Sequence, residues 1–176
     1  TYPNLMTQEG VRGQEYNAWS ADGGNPPEHT TIIPFTRGLA GPMDFTPAIF
    51  NFENPVFPNT RPQTTLAKQL AEFVVLYSPL QMAADMIENY DNNPAFEFIT
   101  SCPVNWSKTV VPGAEIGEYV TIARKDRDSE NWYLGSITNA DSRKLSLSLN
   151  FLDKGATYQA KIFKDGKGAD WKTNPY

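Results

Sequence analysis

Between residues 8 and 19 the chain reads QEGVRGQEYNAW, so two carboxylates, a guanidinium and two aromatic rings crowd one short stretch. Glu9 and Glu15 are six apart, which would put them on different faces of a regular helix. Gly10 and Gly13 lie between them and let a loop fold back, bringing both acids together. Two carboxyls in one small loop suit two chemistries. One can be kept protonated as a general acid while the other stays charged beside a cation or Arg12. Both can also act as hard oxygen ligands for Ca²⁺. Tyr16 and Trp19 add flat apolar faces of the kind that stack on sugar C–H surfaces. The competing reading is a solvated surface loop closed by an ion pair between Arg12 and one of the glutamates.

Other reactive side chains carry less. His29 is the sole histidine and precedes a strand-like run; without a partner it defines no triad, and it reads as a structural or loop-lining group. Ser20 and Ser78 lack the nucleophile-elbow pattern. Asp44, in GPMDFTP, has rigid neighbours and suits either a turn-capping or a substrate-binding role. Gly23-Gly24 is too short for a phosphate cradle. Cys102 is the one cysteine, so it forms no internal disulfide and reads as a small buried hydrophobe. Trp132 and Tyr133 read as sheet core, with a sugar-binding platform as the alternative.

These residues need a frame, and the chain supplies two kinds. Up to Pro62 it holds nine of its 14 prolines. Short apolar runs at 31–35 and 43–50 read there as brief strands between long shaped loops. Leu66, Leu70, Phe73, Val74 and Tyr77 then fall on one helical face after a Thr64/Thr65 start signal, and a second amphipathic stretch spans 80–87. Beyond a linker at about 102–117, period-two alternation predicts strands at 118–123, 132–138, 145–149 and 157–163. Four such strands make an antiparallel meander, part of a sandwich or barrel. A boundary falls near residue 100. The chain opens on Thr1-Tyr2-Pro3 and closes straight after strand-like sequence, so it reads as a piece of something longer, its partners in sequence lying beyond both ends.

Composition excludes several classes. Of 176 residues, 40% are hydrophobic and 12% aromatic, which is too apolar for a disordered tail. No apolar run reaches the ~20 residues of a membrane span. Net charge is −5 with the basic residues scattered, and only residues 124–127 form a small mixed cluster. Nucleic-acid binding needs a concentrated positive footprint, so it is not expected.

The segments YPNLMTQEGVRGQEYN (2–17), HTTIIPFTR (29–37) and LAGPMDFTP (39–47), followed by YSPLQMAAD (77–85), GEYVTIAR (117–124) and NWYLG (131–135), closely resemble glycoside hydrolase family 97 in collinear order. The resemblance implies an α/β plus all-β chain: residues 1–99 as the C-terminal part of a catalytic (β/α)₈ barrel, and 100–176 as an incomplete C-terminal β-sandwich. It implies a Ca²⁺-dependent, exo-acting α-glycosidase acting on α-galactosides or α-glucosides, leaning to the retaining galactosidase branch through PEHTT (27–31) and GPMDFTP (41–47). On this template Glu15 matches the proton-donating glutamate, and Glu9 a Ca²⁺ ligand, with Glu15 also approaching the ion. Arg12, Tyr16, Asn17 and His29 are candidate substrate-lining residues. The second catalytic carboxylate and further Ca²⁺ ligands fall upstream, so the upstream part of the same enzyme is an expected partner and this chain alone is expected to be inactive. A periplasmic or secreted location follows from the family alone. The rival readings are a non-catalytic carbohydrate-binding module and a purely structural sandwich.

Overall fold

The computed structural model describes residues 3–20, 22–54 and 56–176. Tyr2, first residue of the family-like run 2–17, lies outside them. In chain order the elements are α1 (Tyr16–Trp19), α2 (His29–Ile32), α3 (Leu66–Val75), α4 (Ile87–Tyr90), α5 (Phe96–Ser101), β1 (Trp106–Glu115), β2 (Tyr119–Asp126) and β3 (Trp132–Thr138).

The predicted amphipathic helix is α3. Thr65 caps it by accepting a hydrogen bond from the Lys68 amide at 3.3 Å. Leu70, Phe73, Val74 and Val75 are buried along it, each worth roughly 1.5–3 kcal/mol. Buried polar groups share its surface. Gln69 holds the Ile49 peptide from both sides, accepting from its N–H and donating to its C=O, each at 2.7 Å.

Helix α3 lies on a three-stranded antiparallel sheet of order β1-β2-β3. Strands β2 and β3 pair without a slip from Tyr119↔Thr138 to Lys125↔Trp132. The helix approaches β3 so closely that a Cβ on Gly135 would lie 2.6 Å from the Ala71 carbonyl oxygen. Val120 and Ile122 of β2 and Ile137 of β3 join Ile33, Met43, Phe45, Val75 and Leu76 in one core cluster. Arg124, on the same strand, turns its guanidinium to the end of α3. It donates to the Val74 and Val75 carbonyls at 2.6 and 3.4 Å and to Thr109 at 2.8 Å, which satisfies carbonyls that a helix C-terminus leaves open.

Several expected elements differ. The stretch 31–35 is no strand: α2 runs into a 3₁₀ turn, Ile33–Phe35, with Pro34 in its first positions. The stretch 43–50 is extended but broken, because Thr46 and Ala48 take φ of 58° and 75°, which no strand tolerates. Residues 80–86 do not form a helix. Ser78 bonds the Leu80 backbone on both sides, the Asp85 carboxylate accepts from the Met86 amide, and the Ala84 amide donates to Pro47 O, so groups that a helix would use are taken elsewhere. Strand β1 occupies the expected linker; Pro112 and Gly113 fall at a register shift that breaks its alternation. The runs 145–149 and 157–163 stay outside the ladder. Leu149 and Ile162 are exposed. Alternation reports an extended backbone, and it does not supply a neighbouring edge to pair with. The expected sandwich is therefore, in these residues, a three-stranded sheet. No helix among the described residues is long and apolar enough to cross a membrane.

Candidate active site

Two segments run side by side to build the site. Gln8 and Met43 form a parallel bridge, the Asp44 amide donates to Gln8 O at 3.3 Å, and the Gln14 amide donates to Phe45 O at 2.7 Å. Arg37 clamps the pair from outside, donating to the carbonyls of Gln8, Gly41 and Pro42 at 2.7–3.1 Å.

Glu15 stands at the N-cap of α1 in helical conformation and gives that helix no side-chain cap. Its carboxylate instead folds back over Gly13, into the space where any side chain at 13 would sit. There it accepts a hydrogen bond from the Thr46 hydroxyl. Asp44 lies close by: partial burial, and then the Glu15 charge, push its carboxyl above the usual range. The acid that the fold sets electrostatically beside Glu15 is thus Asp44. Glu9 is exposed, one residue past the Gln8 bridge.

The loop behind Glu15 is held by polar side chains. Arg12 pairs with Asp22 at 2.7 and 2.9 Å and with Ser20 at 2.7 Å. The Asp22 bond raises the guanidinium further, and the bonds Asp22 accepts from Arg12, Ser20 and the Gly24 amide hold its carboxyl well below the usual carboxylate range. Arg12 also covers the Tyr16 ring at 4.9 Å, and Tyr16 packs on Trp19 with centroids 5.6 Å apart. His29 contacts the Arg12 carbonyl through Nε2 at 2.8 Å. A carbonyl only accepts, so Nε2 carries the proton. Burial holds this imidazole below its ordinary value, which favours the neutral form. Asn17 is fully buried. Its amide faces the carbonyls of Gly23, Asn25 and Arg61 and accepts from Gln14, so this candidate lining residue serves the frame of the loop. Sequence reasoning missed Thr46 and Asp22. For Asp22 an Asx-turn signal was present: its carboxylate takes the Gly24 amide at 3.0 Å.

Glu9 and Glu15 are hard oxygen donors, the chemistry Ca²⁺ prefers, but two carboxylates fall short of the roughly six to eight oxygens it takes. Among the described residues no three His, Cys, Asp or Glu side chains form a metal-holding group. A complete Ca²⁺ shell therefore needs donors beyond these.

Residues 105–176, from just before β1 onward, match the family profile described as glycosyl-hydrolase 97 C-terminal, oligomerisation. The whole chain also superposes on a glycoside hydrolase family 97 enzyme from Pseudoalteromonas sp. strain K8, with 51% identity and a TM-score of 0.92, covering 100% of this chain and 28% of that one. The chain belongs to glycoside hydrolase family 97. The Pseudoalteromonas enzyme has been solved with panose as a Glu-to-Gln variant, and with acarbose. A relative from Bacteroides thetaiotaomicron, named retaining α-galactosidase, is 36% identical over 96% of this chain. Another from Streptomyces bingchenggensis, named probable retaining α-galactosidase, is 35% identical over 77% of it. The chain spans 26% and 19% of the lengths of these two curated relatives.

Proposed function

We propose that this family 97 chain supplies the general acid of an α-glycosidase, with Glu15 as that acid. The observation that carries the reading is the seat of its carboxylate: folded over Gly13, anchored by the Thr46 hydroxyl and set beside Asp44. In the general-acid role this carboxyl would deliver a proton to the glycosidic oxygen as the bond breaks and positive charge develops on the sugar. Tyr16 and Trp19 offer a sugar-stacking surface beside it, and Arg12 and His29 shape the loop that carries both. Residues 1–99 form the end of the catalytic barrel and residues 100–176 the C-terminal domain. The second catalytic carboxylate belongs to the rest of the full-length enzyme, without which this chain is inactive. The substrate is an α-galactoside or α-glucoside, cleaved from its non-reducing end. The names of the two curated relatives support the retaining galactosidase branch; the panose and acarbose complexes of the 51%-identical neighbour support glucosides. Comparing kcat/KM on matched aryl α-galactoside and α-glucoside separates the two.

Glu9 and Glu15 would contribute two oxygens to a Ca²⁺ ion, which when bound orients substrate and carboxylates electrostatically. The enzyme works in the periplasm or outside the cell. In the full-length enzyme, Glu15→Gln should cost roughly 10²–10⁴-fold in kcat for an alkyl glycoside, and much less for a substrate with a good leaving group. Equal turnover of both substrates by wild type and variant would remove Glu15 from this role. Chelation should lower activity and added Ca²⁺ restore it; activity indifferent to EGTA would refute the ion. The family profile's description favours a second, assembly role for residues 105–176, testable by sedimentation of the enzyme with and without them.

A further inference from the structure

Behind the candidate site, where the loop before α2 meets α3, a small cavity of about 10 Å³ is lined by Asn25, Thr30, Thr64, Lys68 and Glu72 among others. Four oxygens there are buried without any hydrogen-bond partner: Asn25 Oδ1, Thr30 Oγ1 and both carboxylate oxygens of Glu72. Glu72 is 1% exposed. Unpaired buried oxygens of this kind are rarely left so in a native protein. The Asn25 amide cannot turn round to relieve them, since its Nδ2 donates to the Arg12 and Gly13 carbonyls at 3.1 and 2.6 Å. Its oxygen must therefore point the other way. Lys68, four residues before Glu72 on α3, does not bond to it. The ammonium donates to the Pro27 and Thr138 carbonyls at 2.6 and 2.7 Å, which leaves one of its three N–H groups available.

We infer that one internal water molecule occupies this cavity and bridges Lys68 to Glu72, joining both to Asn25 and Thr30. The volume is that of about one water. All four bonds of the water are then used: it accepts from the third Lys68 N–H and from the Thr30 hydroxyl, and donates to Asn25 Oδ1 and to one Glu72 oxygen, so three of the four orphan oxygens gain a partner. A metal cation is the weaker occupant, because Lys68 already places a positive charge at the site. The bridge ties the segment carrying Asn25 and His29 to the helix that packs on the sheet, so it links the site loop to the C-terminal half.

The test is a high-resolution crystal structure of the protein, collected from crystals in NaCl and again after soaking in RbCl with anomalous data. One spherical peak at ~2.7–3.2 Å from Glu72, Asn25, Thr30 and Lys68, with no rubidium signal, is expected. An anomalous peak there, an empty cavity, or a direct Lys68–Glu72 ion pair would each overturn the inference. Glu72→Met should abolish the peak. If that variant does not fold, Thr30→Val serves instead: it removes one of four bonds, and a peak unchanged in occupancy and position would count against Thr30 as a ligand and against the four-bond bridge.

Discussion

Gly13 and Glu15 constrain each other. The carboxylate of Glu15 rests where a side chain at 13 would lie, so the glycine is needed for close approach. Gly13→Ala should push the acid off its seat beside Thr46 while leaving the surrounding core intact. In the full-length enzyme we expect kcat to drop on the order of 10²-fold, the size of effect a misplacement of about 1 Å can produce, with the melting temperature nearly unchanged. Unaltered turnover would show that the seat is not the catalytic position. Asn17 is the opposite case among the candidate residues, a side chain of catalytic type whose every bond is structural.

At the scale of elements, α3 carries the most unusual chemistry. Burial raises the Glu72 carboxyl from 4.5 to about 7, while the Lys68 charge pulls it down less strongly. The same burial lowers Lys68 to about 8, against the raising influence of Glu72, Glu28 and Asp165. The unfolded Glu72 ionises near its ordinary value, so between about 4.5 and 7 the folded chain holds a proton that the unfolded chain has released. Stability from this group is therefore complete below the lower value and lost as pH rises through the upper one. Glu72→Gln, always neutral, should lack that slope. Urea melts of both proteins across this range should converge or cross, and parallel profiles would contradict the assignment. The same helix shows what sequence can reveal. Its apolar face and threonine cap were legible because amphipathic period and capping are local, and β3 was legible from alternation alone. Strand β1 was hidden by Pro112 and Gly113 at its register shift, and 80–86 looked helical until Ser78 took the Leu80 backbone groups and Asp85 the Met86 amide. The Glu15–Thr46 contact spans 31 residues and depends on a left-handed Thr46, which no local pattern encodes. Spacing alone leaves the role of Glu15 open, and only the family resemblance singles it out as the candidate acid.

Across the whole molecule, Arg124 joins the two kinds of sequence. It sits on the central strand and closes the last carbonyls of α3, while its guanidinium covers Tyr77 at 5.5 Å. Arg124→Met should destabilise the chain by about 2–4 kcal/mol, since it leaves buried carbonyls unpaired. A thermal melt followed by far-UV circular dichroism would register this, and a shift under about 2 °C would indicate that the contact is dispensable. A second long-range tie runs from the last residues back to the middle of the chain. Arg61 donates to the Trp171 and Lys172 carbonyls, the Leu66 amide to Pro175 O, and the Tyr176 hydroxyl to Phe50 O, while Tyr176 packs on Phe52 at 5.3 Å. On the ribosome these partners are made in order, at roughly 5–20 residues per second. The segment from Phe50 to Leu66 must therefore wait for more than a hundred residues of synthesis before its last contacts exist. Through that interval the Phe52 ring lacks Tyr176, the aromatic partner it packs on.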